Sequence, residues 1–224
     1  MDQIQKFKRE LVENNIHGLA LDIDETLADS NTHWFKTLCD FKQPKGQTFE
    51  SIIKKYIFAE EIVEWQTTEA FEVMQGLMNS EEFNEGIPLI EDSNHVVNKL
   101  NQTFPILAYI TARPSTVAEA TKRWLTKHDF PVAELITRSN DIKTSASDLS
   151  DRNKWKAEIL VELYPHITGI IDDNVVLAHK LQDLNYKGTL YLYGTDTKEF
   201  DHYIHVVVCP TWSSVYDKIK KTGF

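Results

Sequence analysis

Apolar residues fall into short continuous runs, each closed by polar residues. Residues 16–29 read I-H-G-L-A-L-D-I-D-E-T-L-A-D and residues 104–110 read F-P-I-L-A-Y-I, with comparable runs at 166–171, 189–193 and 204–209 and a shorter one at 132–136. Runs of this length predict strands buried on both faces. Between them the spacing becomes helical. Val117, Ala120, Trp124 and Leu125 share a side of 115–127, residues 153–164 repeat the pattern, and Leu177, Leu181 and Leu184 do so in 175–184. Strands alternating with helices predict βαβ units, hence an α/β fold with a three-layer, mostly parallel sheet. Right-handed crossovers then bring the carboxyl ends of the strands to one edge.

From Ser30 onward the rhythm breaks. Helical spacing occupies 33–41, 49–58 and 62–78, with Thr48 and Thr67 as expected caps, until Gly86-Ile87-Pro88 ends it. The expected organisation is a core domain of residues 1–29 and 87–224, with residues 30–86 as a small helical cap inserted after the first strand and lying over the strand ends. Residues 139–151, polar and serine-rich, read as a solvated loop.

A chain of 224 residues with 42% hydrophobic content can bury a full core. The net charge of -10 argues against a duplex nucleic-acid surface, which needs a basic stripe. It leaves room for a small phosphorylated substrate, because a bound divalent cation inverts the local field. Cys39 and Cys209 are the only cysteines, which implies no disulfide framework and a reducing cytoplasm. Residues 1–14 are charged and amphipathic, and no run reaches the length of a membrane span, so a soluble, unprocessed protein is expected. The oligomeric state is not written in the sequence.

The chemistry gathers where the strands end. Asp22 and Asp24 close the first run, and alternate residues of an extended chain share a face. Two carboxylates that close must take up a proton or share a cation. Alone, D-x-D is an ordinary surface turn; what changes its meaning is that Thr111 follows the second run and Asp172 and Asp173 the run at 166–171. A lysine comes from the helix at 153–164. Lys154 and Lys156 both lie in its first turn, but Lys156 shares a face with Ile159, Leu160 and Leu163 and is the stronger candidate. H-E-x-x-H, C-x-x-C and P-loop patterns are absent.

This order of parts, D-x-D-x-T, strand-Thr, Lys, strand-Asp-Asp, resembles the four motifs of the haloacid dehalogenase superfamily. L-D-I-D-E-T-L is similar to aspartate-nucleophile phosphatases. Y-I-T-A-R-P resembles deoxyribonucleotidase-type members, and K-A-E-I-L with I-I-D-D resembles polynucleotide 3'-phosphatases and phosphoserine phosphatase. The insertion is similar to a class 1 cap on a Rossmann-like core. Glu25 departs from the glycine of many members, though acid phosphatases carry an acid there too. The resemblance implies a Mg²⁺-dependent phosphomonoesterase for a small metabolite or nucleotide, with Asp22 as nucleophile and Asp24 as acid and base. Asp22, Asp172 and the Asp24 backbone carbonyl would hold Mg²⁺, with Asp173 binding directly or through water. Thr111 and Lys156 would hold phosphate oxygens, with Arg113 either a third phosphate ligand or a loop brace before Pro114. A phosphomutase, a dehalogenase or a non-catalytic receiver-like phospho-acceptor are the alternatives.

Other residues carry two readings. Asn174 either orients Asp172 or caps the following helix, and Asp29 is a solvated hinge residue or touches substrate. His202 and His205 read as structural rather than metal-binding. Tyr191, Tyr193, Trp124 and Trp212 read as core or sheet cover. Trp34, Phe35 and Trp65 either line a substrate pocket in the cap or simply pack it.

Overall fold

The computed structural model describes residues 3–57, 59–139 and 148–222. In chain order these form α1 (Gln3–Glu13), β1 (Gly18–Leu21), α2 (Ser30–Phe41), α3 (Phe49–Lys55), α4 (Thr68–Met78), α5 (Glu81–Glu85), α6 (Ser93–Asn101), β2 (Ile106–Pro114), α7 (Ala118–Lys127), β3 (Glu134–Arg138), α8 (Asp148–Leu163), β4 (Ile167–Asp172), α9 (Val175–Asp183), β5 (Thr189–Tyr193), β6 (Val206–Cys209) and α10 (Trp212–Thr222). The six strands make one sheet in the order β3-β2-β1-β4-β5-β6, and every pairing is parallel. This is the three-layer α/β sheet that the alternating runs predict.

Each face of the sheet has its own apolar layer. On one, Leu19, Leu21, Tyr109, Ile171 and Tyr191 pack against Val97, Trp124 and Trp212. On the other, Ala20, Ala108, Ile110 and Ile170 pack against Leu160, Leu163 and Leu177. Strands covered on both sides have no polar face, which is why they appear in the sequence as unbroken apolar runs. The order of the strands reverses direction between β1 and β4, the point at which open α/β sheets leave a crevice at the strand ends.

Helices α2 to α5 surround a third cluster built from Phe35, Leu38, Ile52, Ile62, Trp65 and Ala70. Thr48 and Thr67 do cap α3 and α4, accepting from the amides of Ser51 and Ala70. The helices are shorter than their spacing suggests. The run at 49–58 stops at Lys55, and Phe58 lies outside the described residues. The run at 62–78 breaks into a single 3-10 turn, Val63–Trp65, before α4, because Thr67 takes the extended conformation a cap requires. The segment is tied back to the sheet layer by Arg123 of α7, which pairs with Glu81 and Glu85, and by Thr116 Oγ1, 2.7 Å from Asn79.

Several boundaries differ from expectation, among them β3, which runs Glu134–Arg138 rather than over 132–136. β2 continues through Thr111, Ala112 and Arg113 to Pro114, so the polar cluster is part of the strand, with a register shift between Thr111 and Pro114. α8 begins at Asp148, five residues early, which converts the end of the expected 139–151 loop into helix; residues 140–147 lie outside the described residues. Helices α6 and α10 had no prediction, the Asn-rich turns of α6 hiding the buried pair Val97 and Leu100.

Candidate active site

β1 and β4 are in register with Leu21 opposite Ile171, so the next residues, Asp22 and Asp172, come abreast at the carboxyl edge. The Asp22 amide extends the ladder by one bond, to Ile171 O at 2.9 Å. Both side chains lie on the face covered by α8. Lys156 reaches them there, its Nζ 2.9 Å from Asp22 Oδ1 and 2.7 Å from Asp172 Oδ2. It is buried on the same helical face as Leu160 and Leu163. Lys154 is exposed and pairs with Glu158 at 3.8 Å, so of the two lysines it is Lys156 whose ammonium lies beside the carboxylates. A buried ammonium is costly without partners, and Lys156 has two.

Asp173 joins from the other side of β4. One oxygen from each of Asp22, Asp172 and Asp173 lies within 4.8 Å of the others. Thr26 Oγ1 donates to Asp173 Oδ1 at 3.0 Å, and the backbone amide of Asn174 donates to Asp172 Oδ1 at 2.8 Å. The Asn174 side chain caps α9 through Val176 N at 2.9 Å. Both readings of Asn174 therefore hold, the cap by side chain and the orientation of Asp172 by main chain.

The electrostatics show a surplus of negative charge. Burial lifts the Asp22 carboxyl well above the usual carboxylate range; Lys156 opposes this, while Asp172 and Asp173 add to it. Burial and then Asp172 push Asp173 up to about 7. Burial would lower Lys156, but Asp172 and Asp22 outweigh it and hold the ammonium protonated. Three converging carboxylates against one ammonium are short of positive charge, and hard oxygen donors of this kind fit Mg²⁺.

Asp24 stands apart from this triad. After Asp22 the chain turns, with Glu25 in the left-handed region at φ 58° and the amides of Leu27 and Ala28 returning to Ile23 O. A left-handed conformation costs a residue with a Cβ about 1–2 kcal/mol, the physical reason a glycine would be at ease there. The turn sends the Asp24 carboxylate toward β2. Arg113 Nε lies 3.1 and 3.2 Å from its two oxygens and Nη2 lies 2.7 Å from Oδ1; Ser30 Oγ also donates to Oδ1, and Thr111 Oγ1 is 3.5 Å from Oδ2. Burial would raise Asp24, but the Arg113 charge and hydrogen bonds, with Ser30, bring it below the usual value. Glu25 accepts from Asn31 N at 2.6 Å, and burial lifts its carboxyl to about 7.

The remaining candidates separate cleanly. Asp29 precedes α2 without making a side-chain cap bond. His202 packs edge-on to Tyr203 and is not part of the carboxylate cluster. Phe35 and Trp65 pack inside the helical segment, where Trp65 Nε1 donates to Lys42 O, and Trp34 packs edge-on to Phe83. Three residues near the site carry no signal in the sequence that places them there. Ser30 has no motif. Trp124 is core, as expected, but its ring also lies under the Arg113 guanidinium at 5.7 Å. Tyr193, its ring tilted against Trp212 at 5.1 Å, is half-buried beside the site, its phenol raised by burial and then by Asp173 and Glu25.

No protein-family model and no curated protein matches the chain. Solved structures do. A hydrolase from Pseudomonas syringae aligns at TM-score 0.55 and 15% identity, over 93% of this chain and 100% of that one. A haloacid dehalogenase-like family hydrolase from Streptococcus pneumoniae aligns at TM-score 0.50 and 15% identity, over 92% and 99%. The chain shares its fold with these hydrolases, one of them a haloacid dehalogenase-like family member. Protein tyrosine kinase A from Mycobacterium tuberculosis aligns at TM-score 0.59 and 14% identity, over 91% and 98%. Proteins named for different reactions thus share this architecture, and for the present chain the reaction must be argued from its site.

Proposed function

We propose that the protein is a Mg²⁺-dependent phosphomonoesterase acting on a small phosphorylated metabolite or nucleotide through an aspartyl-phosphate on Asp22. One observation carries this reading: Asp22, Asp172 and Asp173 converge at the strand-order reversal around a buried Lys156, with a second carboxylate, Asp24, held separately beside them.

Phosphoryl transfer needs an in-line nucleophile, neutralised phosphate oxygens and a proton for the leaving oxygen. An Asp22 oxygen attacks phosphorus, the bond from phosphorus to the leaving oxygen breaks, and Asp24, protonated as the negative substrate enters and disfavours its charge, supplies that oxygen's proton. Asp24 then takes a proton from water as the water attacks the phosphorus of the aspartyl-phosphate, which releases inorganic phosphate and restores Asp22. Lys156 and Thr111 hold oxygens that do not react. Asp22, Asp172, Asp173 and the Asp24 carbonyl would hold Mg²⁺, whose contribution is to neutralise the phosphate against the carboxylates. An acid at Asp24 is of no use for expelling a halide, which favours phosphate ester cleavage over dehalogenation.

Residues 30–86 serve as a class 1 lid that selects the substrate. No helix among the described residues is long and apolar enough to cross a membrane. Cys39 and Cys209 are both buried and unpaired, as suits a reducing cytoplasm. Hydrolysis of p-nitrophenyl phosphate, with and without EDTA and against Asp22→Asn, tests the reading: metal-dependent turnover lost in the variant is expected, and turnover equal to that of the variant would refute it. A panel of phosphometabolites including nucleoside monophosphates then names the substrate.

A further inference from the structure

The sequence left Arg113 between two roles, phosphate ligand and loop brace. We propose a third: Arg113, with Ser30 of the lid, is a positioning residue that aims the Asp24 carboxylate at the leaving oxygen and does not bind the transferred phosphate. This assignment rests on the phosphatase reading above.

The contacts divide the two Asp24 oxygens unequally. Oδ1 receives Ser30 Oγ and the shortest arginine contact, Nη2 at 2.7 Å. Oδ2 has only longer neighbours, Arg113 Nε at 3.2 Å and Thr111 Oγ1 at 3.5 Å. Charge-assisted N–H···O bonds are strongest near 2.7–2.9 Å, so the clamp closes on Oδ1 and leaves Oδ2 as the oxygen free to exchange a proton. The Asp24 side chain is 35% exposed, whereas that of Arg113 is 4% exposed, so the carboxylate faces the opening and the guanidinium lies behind it.

Two of the arginine's three nitrogens are already engaged and the third is sealed off from an incoming phosphate. Nε and Nη2 are spent on Asp24, and Nη1 is sealed from solvent without a partner. Its surroundings hold it in place. The guanidinium lies over the Trp124 ring, Trp124 is fully buried with Nε1 bonded to Ile87 O at 2.7 Å, and the Arg113 amide donates to Thr111 Oγ1 at 3.2 Å. To reach a phosphate, Arg113 would have to abandon its fork on Asp24, and planar bidentate pairs of this kind resist that.

Ser30 extends the device to the lid. It is buried and is the first residue of α2, so the helix that enters the lid touches the acid-base carboxylate directly. The next amide, Asn31 N, bonds to Glu25 at 2.6 Å. A shift of α2 therefore moves Asp24, and the lid's position is communicated to the proton-transferring group.

The test compares an alkyl phosphate, whose leaving oxygen needs a proton, with p-nitrophenyl phosphate, whose leaving group needs little. The value of kcat/KM reports the steps up to departure of that group, and the inhibition constant of inorganic phosphate reports phosphate binding. In Arg113→Gln and Ser30→Ala, kcat/KM for the alkyl ester is expected to fall about 100-fold, the size of a 1 Å misplacement. For p-nitrophenyl phosphate it should change only a few-fold, with phosphate inhibition unaltered and Ser30→Thr restoring the alkyl activity. Ser30→Ala removes one oxygen and keeps the test open should Arg113→Gln fail to fold. Equal losses on both esters, or phosphate inhibition weakened about tenfold in Arg113→Gln, would overturn the assignment alone. No turnover of either ester by the wild-type protein would overturn the phosphatase reading and the assignment with it.

Discussion

Lys156 Nζ and Asp172 Oδ2 meet 2.7 Å apart in the interior, joining α8 to the end of β4. The ammonium is the cation that lets Asp22 and Asp172 lie side by side in a dry site. Lys156→Met should therefore cost about 3–5 kcal/mol in urea unfolding without metal, the usual penalty for orphaning a buried partner. Added Mg²⁺ should recover part of the loss. Lys154→Met, on the exposed side of the same helix, should stay within about 0.5 kcal/mol of wild type. Equal effects of the two would remove Lys156 from its role.

Asp173 and Glu25, both raised to about 7, set a pH dependence. Between the ordinary carboxylate range and about 7 the folded protein holds protons that the unfolded chain has released. Metal-free stability from these groups is therefore present at low pH and is lost as pH rises through 7. A divalent cation competes with those protons, so Mg²⁺ should raise the melting temperature more at about pH 8 than at about pH 5. Thermal melts at the two pH values check this, and an equal shift at both would contradict it.

Asp22→Asn should lower hydrolysis by about 10⁴-fold or more, as removal of a nucleophile does. Because burial and the neighbouring carboxylates disfavour the charged form of Asp22, the neutral amide should leave the metal-free melting temperature unchanged or higher near neutral pH. Loss of both activity and stability would mark Asp22 as structural.

Trp65 sits at the centre of the helical segment's own cluster, stacked with Phe35 at 6.1 Å. Trp65→Ala should cost about 3–5 kcal/mol, confined to the lid. Limited proteolysis should then open new cleavage within residues 30–86 while the 87–224 fragment survives. Cleavage spread over the whole chain would contradict the division into core and lid.

The sequence disclosed those parts of the site that depend on strand ends and helix faces. Asp22, Thr111 and Asp172 were legible because strands buried on both faces stand out as apolar runs, and their first polar residues must emerge at one edge. Lys156 was separable from Lys154 because Leu160 and Leu163 define the buried side of α8. What stayed hidden was orientation. Asp24 pairs with Arg113 and Ser30 rather than joining the triad, and the fork of Arg113 on Asp24 joins residues 89 positions apart. Neither leaves a periodic signal. Ser30 acquires its role only through the entry angle of α2, and Tyr193 through the register that sets it beyond the Leu192–Asp172 pair. Helix ends in the lid were misplaced for a related reason, since the apolar spacing of Ile62 and Trp65 runs on to Ala70 across the extended Thr67, where the helix in fact begins.

The central claim is that Asp22 carries the phosphoryl group during turnover. Quenching the protein with substrate and Mg²⁺ in the steady state, reducing it with borohydride and mapping its peptides by mass spectrometry tests this directly. The account predicts conversion of Asp22 to homoserine in the peptide spanning β1, dependent on both substrate and Mg²⁺. Turnover that leaves Asp22 unreduced, or the label appearing on Asp24 or Asp172, would contradict it.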